Sequence, residues 1–125
     1  MTTILLVDDN YDARQLVGTV LRSGGYDVVE AENGLDALGL LETMSTKPCL
    51  VLLDLMMPVM DGQEFLHALR EQNRLVTLPV VVLSAGGQPS QVPDAIMFLR
   101  KPVDPRLILA LASEICSPTG PSSKA

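Results

Sequence analysis

Hydrophobic and polar positions fall along this chain in blocks of two kinds. Short runs, mostly apolar, read as strands: "TILLVD" (Thr3–Asp8), "YDVVEA" (Tyr26–Ala31), "CLVLLD" (Cys49–Asp54), "PVVVLS" (Pro79–Ser84) and "IMFLRK" (Ile96–Lys101). Between and after them come longer stretches whose apolar residues return every three or four positions. These predict helices over residues 11–25, 33–44, 61–72 and 104–116. The pattern turns Ala13, Leu16, Val17 and Val20 to one face of the first helix. It turns Leu38, Leu41 and Met44 inward on the second, and Phe65, Leu66 and Leu69 on the third. On the last it sets Leu107, Leu111 and Ile115 against Leu109, Ala112 and Cys116 on the opposite side. That second group is either a small contact patch or an ordinary scatter of surface apolar residues.

The boundaries carry their own chemistry. Asn10 can cap the first helix and Gly24–Gly25 can end it; Asp61 can cap the third, and Pro105 sits in the first turn of the last. Apolar strands alternating with amphipathic helices imply an α/β fold: a parallel sheet covered on both faces. In such sheets, sites form beyond the carboxyl ends of the strands. The first strand ends in Asp8–Asp9, the third in Asp54, the fourth in Ser84 and the fifth in Lys101. Three acids, a hydroxyl and an amine therefore converge on one edge.

Composition narrows the class. A chain of 125 residues that is 47% hydrophobic fits one domain with a substantial core. A formal charge of −6 argues against direct nucleic-acid binding, which needs a basic patch. The opening "MTTILLVDDN" lacks a signal peptide's basic start, so the expected compartment is the cytoplasm and no membrane contact is expected. Cys49 and Cys116 have neither metal-ligand spacing nor a redox motif, so a disulfide is not expected. The ending "SPTGPSSKA" divides the chain into a domain over 1–117 and a flexible tail or linker start over 118–125.

The clustered residues suit one chemistry. Two carboxylates about 4 Å apart repel by roughly 4 kcal/mol at an effective dielectric of 20, and a divalent cation removes that penalty. Oxygen ligands of this kind suit Mg²⁺. Lys101 can neutralise a phosphoryl oxygen, Ser84 can donate to another, and a carboxylate can be the nucleophile that forms an acyl phosphate. Each acid alone reads more simply as a cap or a solvated loop residue; their joint placement carries the functional reading.

The segments "LLVDDN", "VLLDLMMPVMDG", "VVVLSA" and "FLRKP" together resemble the receiver domain of two-component response regulators, of the chemotaxis-regulator kind, over Thr3 to about Cys116. The resemblance implies a flavodoxin-like, doubly wound five-stranded sheet in the order 2-1-3-4-5. It implies that Asp54 accepts a phosphoryl group from a sensor histidine kinase or phosphotransfer protein. Asp8, Asp9, Asp54 and the Met56 backbone carbonyl would hold Mg²⁺, and Lys101 would contact the phosphoryl group. Ser84 and Phe98 would be the switch pair that changes binding to a downstream protein target or effector domain. The Lys101–Pro102 bond would be cis. Such a domain is a switch rather than a classical enzyme.

The chain departs from that family between its fourth and fifth strands, and again at Met56 and Gly86, whose side chains cannot orient a hydrolytic water, so slow self-dephosphorylation is expected. Only 11 residues, "AGGQPSQVPDA", separate Ser84 from Ile96, and they hold two glycines and two prolines. A helix of average length with its loops does not fit there. The helix expected between the fourth and fifth strands is therefore shortened or missing, and partner recognition shifts to a remodelled loop or to the first and last helices. A pseudo-receiver that binds partners without phosphorylation is the runner-up. A small Mg²⁺-dependent phosphatase is a third reading, disfavoured because "LMMP" after Asp54 supplies no second acid.

Overall fold

A computed structural model of the chain describes residues 2–116. Strands β1 (Thr3–Val7), β2 (Asp27–Ala31), β3 (Leu50–Leu53), β4 (Val80–Ser84) and β5 (Met97–Arg100) pair in parallel in the order β2-β1-β3-β4-β5. Helices α1 (Tyr11–Ser23), α2 (Gly34–Thr43), α3 (Gly62–Glu71) and α4 (Pro105–Cys116) cover the two faces. The expected doubly wound, flavodoxin-like sheet is present. No described helix is long and apolar enough to cross a membrane. The proposed tail over 118–125 lies outside the described residues.

Side chains alternate between the faces, so each strand feeds two cores. Leu5, Val7, Val51, Leu53, Val80 and Val82 pack toward α2 and α3, where Phe65, Leu66 and Leu69 are buried as expected. Ile4, Leu6, Leu50, Leu52, Val81 and Leu83 pack toward α1 and α4. The caps follow the sequence reading. Asn10 accepts the Ala13 N–H, and Asp61 forms a reciprocal capping box with Glu64.

Three expectations change. On α4 the buried residues are Ile108, Ala112 and Cys116, while Leu107 is exposed. The supposed outer patch is thus largely the packed face. The helix is apolar on nearly every side, so its periodicity does not choose an orientation. On α1 the packed stripe runs through Val17 to Leu21, and Leu16 lies one residue round the helix, 57% exposed.

The third change concerns the cysteines, which form a disulfide between Cys49 and Cys116. Their sequence separation of 67 gives no hint of it. The fold does: the chain enters central strand β3 at Cys49, α4 packs across that face, and the two Cα atoms stand 5.3 Å apart.

Between β4 and β5 the only helical feature is a 3-10 turn, Pro89–Gln91. The missing helix is replaced by a loop anchored by buried Val92. Gln63 donates to the Gln91 carbonyl at 3.2 Å, Arg70 pairs with Asp94, and Arg100 donates to the Gly87 carbonyl at 2.8 Å. Gly87 has φ +79°, a left-handed conformation that favours glycine.

Candidate functional site

Strands β1, β3 and β4 finish nearly level. Val7 is opposite Leu53, and Leu53 is opposite Val82. Asp8 and Asp54 therefore leave the sheet side by side. On the other flank Ser84 pairs with Arg100, which puts Lys101 on the same rim. The ladder runs one residue beyond the strands: the Asp54 N–H donates to the Val7 carbonyl at 2.8 Å and the Asp8 N–H to the Ala31 carbonyl at 3.0 Å. The acids thus stand on rigid backbone. Gly62 closes the loop behind Asp54, since a Cβ there would lie 2.8 Å from the Asp54 carbonyl oxygen.

One carboxylate oxygen from each of Asp8, Asp9 and Asp54 lies within 4.8 Å of the others. Asp8 and Asp54 are buried and Asp9 is exposed, so the cluster has one open side. Lys101 Nζ contacts Asp8 Oδ2 at 2.7 Å. Burial pushes the Asp54 carboxyl up to about 6, with Asp8 and Asp9 adding to the rise. Lys101 and the Met56 N–H oppose it. Three hard carboxylates around one opening form a donor set that fits Mg²⁺.

The other sequence candidates gather near this rim. Ser84 is fully buried, and its Oγ accepts the Gly86 N–H at 3.3 Å. Met56 donates its N–H to Asp54 while its own side chain is exposed. Phe98 is half-buried on β5, with the Arg100 guanidinium 5.1 Å from its ring centre. The Lys101–Pro102 bond is cis. An apolar cavity of about 380 Å³ opens beside Asp8 and Lys101, lined by Leu16, Val17, Leu83, Pro102, Val103 and Ile108. Leu16, exposed on α1, borders this cavity.

Arg14 is a functional candidate that the sequence reading missed. Its Nη1 donates to the Asp8 carbonyl at 2.7 Å and its Nε to Glu30 at 3.1 Å, while Arg22 also reaches Glu30 at 2.9 Å. Burial pushes the Glu30 carboxyl up, but hydrogen bonds from Arg22 and Arg14 outweigh it and hold the group below its usual range. The available signal was an arginine one helical turn after the Asn10 cap. Arg14→Ala leaves the Asp8 carbonyl without its charged donor and Glu30 with Arg22 alone. We expect urea denaturation to register a loss of about 2 kcal/mol.

Residues 4–113 match the family described as the response regulator receiver domain. The phosphate regulon transcriptional regulatory protein PhoB of Pseudomonas aeruginosa is 32% identical over 95% of this chain, which spans 53% of that protein. The chain thus covers about half the length of that curated relative. Among solved structures, chemotaxis protein CheY4 of Vibrio cholerae is 30% identical, with a TM-score of 0.80 over 92% of this chain and 98% of that one. The regulator TrrA of Thermotoga maritima, solved in complex with Mg(2+)-BeF, is 26% identical, with a TM-score of 0.79 over 92% and 99% of the two chains.

Proposed function

The chain belongs to the response regulator receiver domain family, and from that premise we propose that it is a phosphorylation-driven switch with Asp54 as phosphoacceptor. The observation that carries the reading is the convergence of a buried Asp54, the Asp8–Asp9 pair and Lys101 on one rim. An Asp54 carboxylate oxygen attacks the phosphorus of a phosphohistidine on a sensor kinase or phosphotransfer protein. The P–N bond breaks, its electron pair stays on the imidazole nitrogen, which takes a proton, and an acyl phosphate forms on Asp54. Asp8, Asp9, Asp54 and the Met56 carbonyl would hold Mg²⁺, which supplies charge neutralisation on the transferring group when bound. Lys101, held at the same rim, adds a positive charge for a phosphoryl oxygen.

Ser84, whose Oγ accepts the Gly86 N–H, would turn its hydroxyl hydrogen toward a phosphoryl oxygen. Phe98, under the Arg100 guanidinium, lies on the next strand and follows that movement. The output is altered binding to a downstream protein target or effector domain. With the interstrand helix reduced to one turn, the surface of α1 and α4 around the apolar cavity is the favoured docking place. We place the domain in the cytoplasm, as a switch rather than a turnover enzyme.

The lifetime of the phosphorylated state follows from the pocket mouth. Hydrolysis needs a positioned water. Met56 and Gly86, the residues two after Asp54 and two after Ser84, offer no side-chain hydrogen bond to hold one. We expect slow self-dephosphorylation, measured as decay of the phosphorylated protein in Mg²⁺ without a phosphatase; rapid decay contradicts it.

Fluoroberyllate, a phosphoryl mimic, tests the reading. With Mg²⁺ the wild-type protein is expected to give a bound fluorine NMR signal that Asp54→Asn abolishes. A wild-type protein that gives no such signal favours a pseudo-receiver working without phosphorylation.

A further inference from the structure

We propose that Cys49 and Cys116 are a thiol–disulfide exchange site for a small thiol of the glutathione class, which fastens or frees the last turn of α4. The inference stands apart from the phosphorylation reading and uses different residues.

These are the only cysteines in the chain, so no internal thiol competes for the bond and exchange must come from outside. The two cysteines differ in exposure. Cys116 is 4% exposed, packed among Ile4, Leu50 and Ala112, whereas Cys49 is half-buried at the point where the chain enters β3. An incoming thiolate therefore reaches Cys49 Sγ first. It forms a mixed disulfide there, the Cys49–Cys116 bond breaks, and Cys116 leaves as a thiolate and takes a proton. A second small thiol attacks the sulfur of the bound one, releasing Cys49 as its thiolate and a small-molecule disulfide. Two small thiols are oxidised as the protein disulfide is reduced; the same steps run backwards with oxidised glutathione.

The bond's place sets its effect. Cys116 is the last described residue of α4, so opening the link frees the turn that holds it, while Ile108 and Ala112 keep the preceding turns packed. The bond lies at the entry end of β3, and Asp54 lies beyond the exit end of that four-residue strand, roughly 16 Å away. Exchange thus changes where α4 is tied without touching the acidic rim. Disulfides of cytosolic proteins are usually transient, which suits a bond reached from one side at the end of a helix.

The test equilibrates the full chain with reduced and oxidised glutathione, quenches by alkylation and reads intact mass, melting temperature and amide exchange. We expect conversion in both directions between a dithiol and a species lighter by two hydrogens. The oxidised form should melt higher by on the order of 10 °C, because the link closes a long loop. Amides of residues 113–116 should exchange faster after reduction, with the fluoroberyllate response the same in both states. Cys49→Ser should melt alike in either buffer. Cys116→Ser should gain a glutathione adduct on Cys49 faster than Cys49→Ser gains one on Cys116. A dithiol that persists in excess oxidised glutathione overturns the proposal. So does a disulfide that survives excess reduced glutathione in the folded protein, or adduct formation that is faster on Cys116.

Discussion

Replacing the proposed phosphoacceptor should make the metal-free domain more stable. At neutral pH in a chelator, Asp54→Asn is expected to raise the unfolding free energy by roughly 3 kcal/mol. Burial, followed by the nearby Asp8 and Asp9 charges, lifts the Asp54 carboxyl from 3.8 in the unfolded chain to about 6 in the fold. Between those values the folded state binds more protons than the unfolded state, so stability falls as pH rises. The wild-type domain should therefore lose this increment between about pH 4 and pH 6, and Asp54→Asn should not. Below pH 4 the difference between the two proteins should vanish. Chemical denaturation across that range, in buffer free of divalent cations, measures both parts. A variant less stable than wild type at pH 7 contradicts the assignment of Asp54 as the strained member of the cluster.

The opposite effect is expected at Lys101. Among the described residues its ammonium is the one cation paired with a carboxylate of the acid cluster, at 2.7 Å from Asp8. The pair is mostly shielded from water, with side-chain exposures of 27% for Lys101 and 8% for Asp8. Removing one partner of such a pair leaves a charge uncompensated, which costs about 3 kcal/mol. Lys101→Met should lose that much in a chelator. Mg²⁺ should restore much of it, because a ligand at a hundred times its dissociation constant stabilises by about 2.7 kcal/mol. Melting curves with and without Mg²⁺ read the result. A Lys101→Met protein indifferent to Mg²⁺ would sink the idea that lysine and metal answer the same charge.

The parts of this molecule legible in the sequence are those written locally. "ILLVDDN" and "CLVLLD" announce both the strands and the acids at their ends, because strand direction and the α/β rule place those residues without any knowledge of packing. Gly86, Gly87, Pro89 and Pro93 announced the lost helix, since they are local breakers. What the sequence hid depends on contacts between distant elements. The Arg14–Glu30 pair needs the register of β1 against β2. The orientation of α4 needs a choice among Leu107, Ile108, Leu109, Leu111 and Ala112, all apolar, and only packing against Leu6 and Leu83 makes it. The Cys49–Cys116 bond needs the crossover that carries α4 back across β3. Each of the three is a consequence of topology, which no window of sequence contains.

In the proposed mechanism one carboxylate accepts a phosphoryl group while its neighbours hold the metal. Intact-mass measurement after incubation with acetyl phosphate and Mg²⁺ tests it most directly, with parallel samples of Asp54→Asn, of the combined Asp8→Asn and Asp9→Asn variant, and of wild type in EDTA. A single phosphoryl adduct is expected on the wild-type protein, mapped to Asp54, and none in the other three samples. An adduct of the same yield on Asp54→Asn, or no adduct on a folded wild-type protein, would contradict it.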